Sequence, residues 1–172
     1  MSDSLSRQIA RYVASLTYDD IPLIVVDRVK ALALHNLVMS FEGLSTPSGK
    51  AAIELSKAEE PRLDGATILG AGTRVSRMGA VFANSQLMHV GIHGDSYRML
   101  AHPGGHVVSS ALVSGELERA DGAAFLTAVV AGYESHVRIA GPFGPSTQAR
   151  GFRASPAYGI FGAAVATGKL LG

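Results

Sequence analysis

Apolar residues recur at helical spacing along almost the whole chain, and only short glycine- or proline-rich stretches interrupt them. Leu5, Ile9, Tyr12, Val13 and Leu16 share one face of a first predicted helix, behind the capping candidates Ser2, Asp3 and Ser4. Asp19-Asp20-Ile21-Pro22 then breaks and restarts the chain, with Asp20 placed to cap and Pro22 near the first turn. A second helix is predicted from Pro22 to Glu42, stopped by Gly43. Val25, Val29, Leu32 and Asn36 lie along one of its faces and Val26, Ala33 and Leu37 along the next, and the helix is broadly apolar, so burial on more than one side is expected.

The same reading continues downstream. Thr46-Pro47-Ser48 opens a short helix through Ala58, and Pro61 to Gly65 reads as a turn. Ala66 to Leu69 is the only extended stretch, ended by Gly70-Ala71-Gly72. Ser76 caps a helix reaching about Val90, and three more helices are predicted at Val107–Glu118, Gly122–Ala140 and Ser155–Leu171. Two irregular segments remain, residues 91–106 and Gly141 to Ala154, and long loops in small domains usually carry function. The prediction is a single all-α domain over 1–172, bundle-like, with two long irregular loops and at most one short strand.

Composition narrows the function classes. A chain of 172 residues with 47% hydrophobic and 17% charged content is large enough to bury a real core. A net charge of +1 without a basic block argues against a nucleic-acid partner. The absence of cysteine excludes disulfides, thiolate zinc sites and cysteine nucleophiles. No apolar run reaches membrane-spanning length, and the polar opening Met1 to Arg7 lacks a signal-peptide core, so a cytoplasmic location is the expectation. A lightly charged chain with twenty glycines is also expected to hold more apolar surface than it hides, which points to a partner.

Four of the six histidines, His89, His93, His102 and His106, fall within eighteen residues, in two pairs spaced four apart with Asp95 between them. A metal site is one reading of that spacing, but the HExxH pattern is absent and no third ligand is anchored. Proton transfer is the better fit, because imidazoles titrate near neutrality and Asp95 lies beside them. Polar side chains that merely anchor the loop are the plain alternative. In the second segment, Arg150 and Arg153 precede Ser155 at a predicted helix start, an arrangement suited to a carboxylate or phosphate. Solvated surface arginines are the alternative there.

The order of segments resembles the N-terminal portion of the MmgE/PrpD family. The resemblance is carried by IARYVASLTYDDIP at 9–22, ATILGAGTRVSRMGAVFANSQLMH at 66–89, AHPGGHVVSSAL at 101–112, AFLTAVVAGYESHVRIAG at 124–141 and GFRASPAYGIFGAAVATGKLLG at 151–172. It implies an all-α fold for this region, with the family's smaller α+β domain absent from the chain. It also implies enzymes that use no metal and no organic cofactor, and that eliminate water, lose carbon dioxide or move a proton on di- and tricarboxylates. Carried over by position, His102 matches the histidine of the HPS/HPG loop and becomes the main acid–base candidate. Asp95 and Ser96 match the last two positions of a DFDDT motif, whose first and middle aspartates fall on Ile92 and Gly94. His93 takes the place of an aromatic and is a possible second proton-transfer group, while His35 stands where an aspartate is usual. Arg153 replaces the histidine of a GFH motif, so it can hold a carboxylate but cannot act as a base. Ser155 keeps the hydroxyl two places later.

The resemblance therefore implies His102, His93 and Asp95 as catalytic residues and Ser96, Arg153 and Ser155 as substrate-binding residues, toward a carboxylate-bearing small molecule. The expected activity is a lyase or isomerase, with a non-catalytic structural or regulatory subunit as the alternative. Family members continue well past the position of Gly172, so either a second copy or a different chain is expected to cover the final helix, giving a homodimer or a heteromer.

Overall fold

Local capping decides where most helices begin. In the computed structural model, which describes residues 3–90, 94–98 and 101–172, the order is α1 (Leu5–Ser15), a 3-10 turn (Tyr18–Asp20), α2 (Leu23–Gly43), α3 (Pro47–Glu59), β1 (Pro61–Ile68), β2 (Thr73–Val75), α4 (Arg77–Met88), α5 (Gly104–Glu118), α6 (Gly122–Ala149) and α7 (Ala154–Leu171). Thr46, Ser76 and Asp121 each accept a hydrogen bond from the backbone N–H three residues on, at 3.0, 3.1 and 2.8 Å, satisfying one of the donors a helix start leaves open. Asp20 does not cap α2 as expected. Its carboxylate instead accepts from the backbone and hydroxyl of Thr17, at 2.8 and 2.6 Å, and closes the turn before Pro22.

Two apolar clusters form the core. The larger joins Val26 and Val29 of α2, Met88 of α4, Val107, Val108 and Ala111 of α5, and Val129 to Ala131 of α6, with Ala166 of α7. The smaller sits under the strands and joins Ile53, Ile68, Val75, Ala80, Ala83, Leu87 and Val113. Helix α7 packs along α6 and α5. Its approach to α6 is close because Gly132 and Gly162 face each other: a β-carbon on either would sit 2.9 or 3.0 Å from the other's carbonyl oxygen. The small-residue run in the last helix serves this crossing.

Two expectations need correction. Pro61 to Gly65 is not a turn but the first part of β1, which pairs antiparallel with β2 in the register Ala66↔Val75, Thr67↔Arg74 and Ile68↔Thr73. The chain thus has a two-stranded sheet rather than one strand at most, within a fold that is otherwise helical. The sheet is held from outside its own ladder. Asn84 of α4 accepts from Leu69 N–H and donates to Thr67 O, at 2.9 and 3.0 Å. Glu116 of α5 accepts from Thr67 N–H, the Thr67 hydroxyl and Arg74, at 2.8, 2.6 and 2.8 Å. Burial alone would raise the Glu116 carboxyl, but the bonds from Thr67 and Arg74 outweigh it and hold the group below its usual range. Glu116→Ala is expected to cost about 1–2 kcal/mol in urea unfolding, since charged hydrogen bonds are lost at a partly solvated site. An unchanged midpoint would mean the hairpin stands without α5.

The second correction concerns α6, which does not stop at Ala140. It runs through Pro142 and Pro145 to Ala149, and the segment expected to be a loop shrinks to 150–153. Both prolines are exposed and three residues apart, so the N–H groups they lack are missing from the solvent side of the helix, where a bend is tolerated. The end of α6 is tied to α7 by a 2.6 Å hydrogen bond between Thr147 and Tyr158 hydroxyls. No helix among the described residues is long and apolar enough to cross a membrane.

Candidate active site

Helix α5 starts at Gly104, three residues earlier than its apolar pattern suggests, so His106 lies in its first turn rather than in a loop. The Gly104 N–H at that start faces Asp95. Its Oδ1 accepts from Gly104 N–H at 3.1 Å, and its Oδ2 accepts from the Tyr133 hydroxyl of α6 at 2.8 Å. An anion at a helix start is favoured by both the open donors and the helix dipole. Tyr133 is held as a donor: burial first, then the Asp95 charge and hydrogen bond, raise its hydroxyl far above the ordinary range, against a smaller opposing effect from Asn36. Asn36 is buried in α2 and donates to Leu32 O at 2.9 Å.

His102 is fixed at both its ring and its backbone. Its backbone N–H donates to the Ser155 hydroxyl of α7 at 2.9 Å, and its Nδ1 lies 2.9 Å from the backbone oxygen of Asp95. A carbonyl oxygen only accepts, so Nδ1 carries the hydrogen and neutral His102 keeps its lone pair on Nε2. That is the tautomer a general base requires, set by one backbone contact.

The remaining sequence candidates divide. Ser155 is buried, and its hydroxyl meets the His102 backbone. Arg153 holds the N-cap position of α7 and is exposed, two residues before Ser155; Ser96 is exposed beside Asp95. His93, with Ile92, lies outside the described residues. The structure therefore brings together Asp95, His102 and Ser155, and it adds Tyr133 and Asn36, which sequence reasoning missed.

His136 was also missed. It lies on α6 one turn after Tyr133 and is fully buried, and neither ring nitrogen has a hydrogen-bond partner among the described residues. His106 stands between it and His89, with ring centroids 4.6 Å from His89 and 6.3 Å from His136. Burial, then the neighbouring His89, His136 and His102, lower the His106 imidazole to about 4. Burial also lowers His136, partly opposed by Asp95. Both rings are neutral at pH 7. Among the described residues, no group of three or more histidine or carboxylate side chains is arranged to hold a metal ion.

The family model described as the MmgE/PrpD N-terminal domain matches residues 7–172. A cis-aconitate decarboxylase from Aspergillus terreus is 26% identical over 176 residues, covering 98% of this chain and 36% of that protein. A cis-aconitate decarboxylase-like protein, oryM, from Aspergillus oryzae is 25% identical over 179 residues, covering 98% of this chain and 37% of that protein. The chain spans about a third of the length of these curated relatives.

Proposed function

Because the chain belongs to the MmgE/PrpD family through that family's N-terminal domain, we propose that it supplies the acid–base part of a lyase site acting on a small carboxylate. The observation that carries the reading is His102, whose Nδ1–H is committed to the Asp95 carbonyl so that Nε2 is free to take or return a proton. Arg153, exposed at the start of α7, holds a substrate carboxylate through its two-pronged guanidinium. Asp95 orients the His102 segment from the start of α5, Ser155 holds it from α7, and Ser96 lies on the exposed side to meet substrate. His93 is a second proton-transfer candidate in the same segment.

In the decarboxylating form, the bond to the departing carboxylate breaks and carbon dioxide leaves. The electron pair left on carbon then takes the Nε2 proton of His102 in its imidazolium form, the Nδ1–H staying on the Asp95 carbonyl, and the neutral ring is reprotonated at Nε2 from water before the next cycle. The relatives named as cis-aconitate decarboxylases support this form over dehydration or isomerisation. The proposal calls for no metal or organic cofactor. It does call for the further polypeptide, or the second copy of this chain, that completes the remaining walls of the site.

A non-catalytic role is favoured by one observation: both Asp95 carboxylate oxygens are engaged within the fold. The experiment separating the two begins with the mass of the protein in solution, alone and with any co-purifying chain. The assembled species is then offered a panel of di- and tricarboxylates, including cis-aconitate, and released carbon dioxide and new alkenes are followed. Turnover of a panel member is expected. A folded, fully assembled protein inert to the whole panel would sink the lyase reading.

A further inference from the structure

Two contacts on α7 lie four residues apart, one turn of helix, and they connect the buried imidazoles to the site. Ser155 receives the His102 backbone N–H. Gly159 packs flat against the His106 ring, so closely that a β-carbon there would overlap it. On the other side of α5, Gly105 makes the same kind of approach to the His89 ring, whose Nδ1 is 3.1 Å from Ser85 O. His136 closes the cluster from α6, beside Gly162 of α7. We propose that His89, His106 and His136 form an acid-operated latch on the site, in which a neutral His106 ring keeps α7 closed against it and so keeps Ser155 on His102, and protonation of His106 releases α7. This goes beyond the lyase reading and does not depend on turnover.

The charges around His106 support a latch of this sign. From α4 it faces His89, from α6 His136, and from the segment before α5 His102, all of which repel a proton on His106. Asp95 acts on His136 and is occupied by Tyr133 and Gly104. Glu134 of α6 is paired with Arg138 at 2.6 Å. Helix α7 offers His106 a bare glycine surface, while its charged side chains lie at its ends: Arg153 is exposed, and Lys169 donates to Ala14 O. Among the described residues, a proton on His106 thus has no counter-charge while α7 is closed, and it gains water once α7 moves away.

The sign follows from linkage. Closed, His106 titrates at about 4; open and hydrated, it returns toward 6.5. The open state therefore binds the proton better, and lowering pH from 7.5 to 5 shifts the balance toward opening by about 30-fold. The test is amide hydrogen exchange on the full chain, corrected for intrinsic rates, comparing His102 with the core amide of Leu87. Protection at His102 is expected to fall by roughly 10- to 30-fold between pH 7.5 and 5 while Leu87 stays protected. In His106→Gln that local loss is expected to vanish. Should His106→Gln fail to fold, His89→Gln, at an exposed ring, is expected to make the loss smaller, because removing one repelling neighbour raises the proton affinity of closed His106 and narrows its gap to the open state. Loss in parallel at His102 and Leu87, no pH dependence at His102, or an identical loss in the folded variant overturns the latch.

Discussion

In the proposed lyase reaction, His102→Ala is expected to lower turnover by about 10²- to 10⁴-fold, the range a positioned acid or base contributes, with little change in KM. The magnitude follows from how few alternatives the site offers. His102 is the only described histidine with its ring hydrogen fixed by the Asp95 segment and its backbone tied to α7. His106 and His136 are buried with depressed proton affinity, so neither substitutes for it at neutral pH. His102→Gln sharpens the test, since glutamine keeps a donor toward the Asp95 carbonyl and loses only the titrating nitrogen. Both variants are expected to fold like the parent, because the Ser155 bond comes from the backbone and survives any side chain at that position. Turnover within threefold of the parent in both variants removes His102 from the chemistry. Loss in alanine but rescue in glutamine makes it a positioning residue instead.

What was legible in the sequence was what short-range physics decides. Ser76 caps its helix as its position predicts, and the helix opened by Thr46-Pro47-Ser48 is capped by Thr46, because a hydroxyl three residues before an open N–H needs nothing else. The second strand was not legible. Thr73-Arg74-Val75 is too short to show alternation, and Pro61 to Asp64 are all exposed, so no apolar pattern marks them. That hairpin is specified from afar, by Glu116 and Asn84, which lie 49 and 17 residues from Thr67. Pro142 and Pro145 misled in the opposite direction: proline reads as a stop, yet α6 passes through both.

The site shows the same division. Asp95 and His102 stand out locally, as an acid and an imidazole in a glycine-rich segment, and family resemblance assigned them roles. Their partners do not stand out. Tyr133 is 38 residues from Asp95 and Ser155 is 53 from His102, and only the fold brings them together. His136 carried one weak signal, its place one turn after Tyr133 in a helix whose preceding turns are mostly small and apolar. A lone histidine there reads as core filling until His106 and His89 are seen beside it.

Asp95→Ala is expected to destabilise the chain by about 3 kcal/mol, because it strands two donors at once in a partly buried place. Gly104 N–H is among the first open donors of α5, and the carboxylate both accepts from it and opposes the positive end of that helix. The Tyr133 hydroxyl, which burial keeps protonated, would lose the acceptor for its proton and be left facing Asn36 alone. Asp95→Asn is expected to cost only about 1 kcal/mol, since the amide oxygen still accepts from Gly104 and the amide N–H₂ meets the Tyr133 oxygen. Urea unfolding at pH 7 measures both. An alanine variant within 0.5 kcal/mol of the parent, on the scale of an ordinary surface change, means the carboxylate does not hold the segment. The asparagine variant then decides what else Asp95 does. If it unfolds like the parent yet loses turnover as steeply as His102→Ala, the negative charge acts on the reaction. If it keeps turnover, Asp95 serves the site by geometry alone, fixing the start of α5 and, through its own carbonyl, the tautomer of His102.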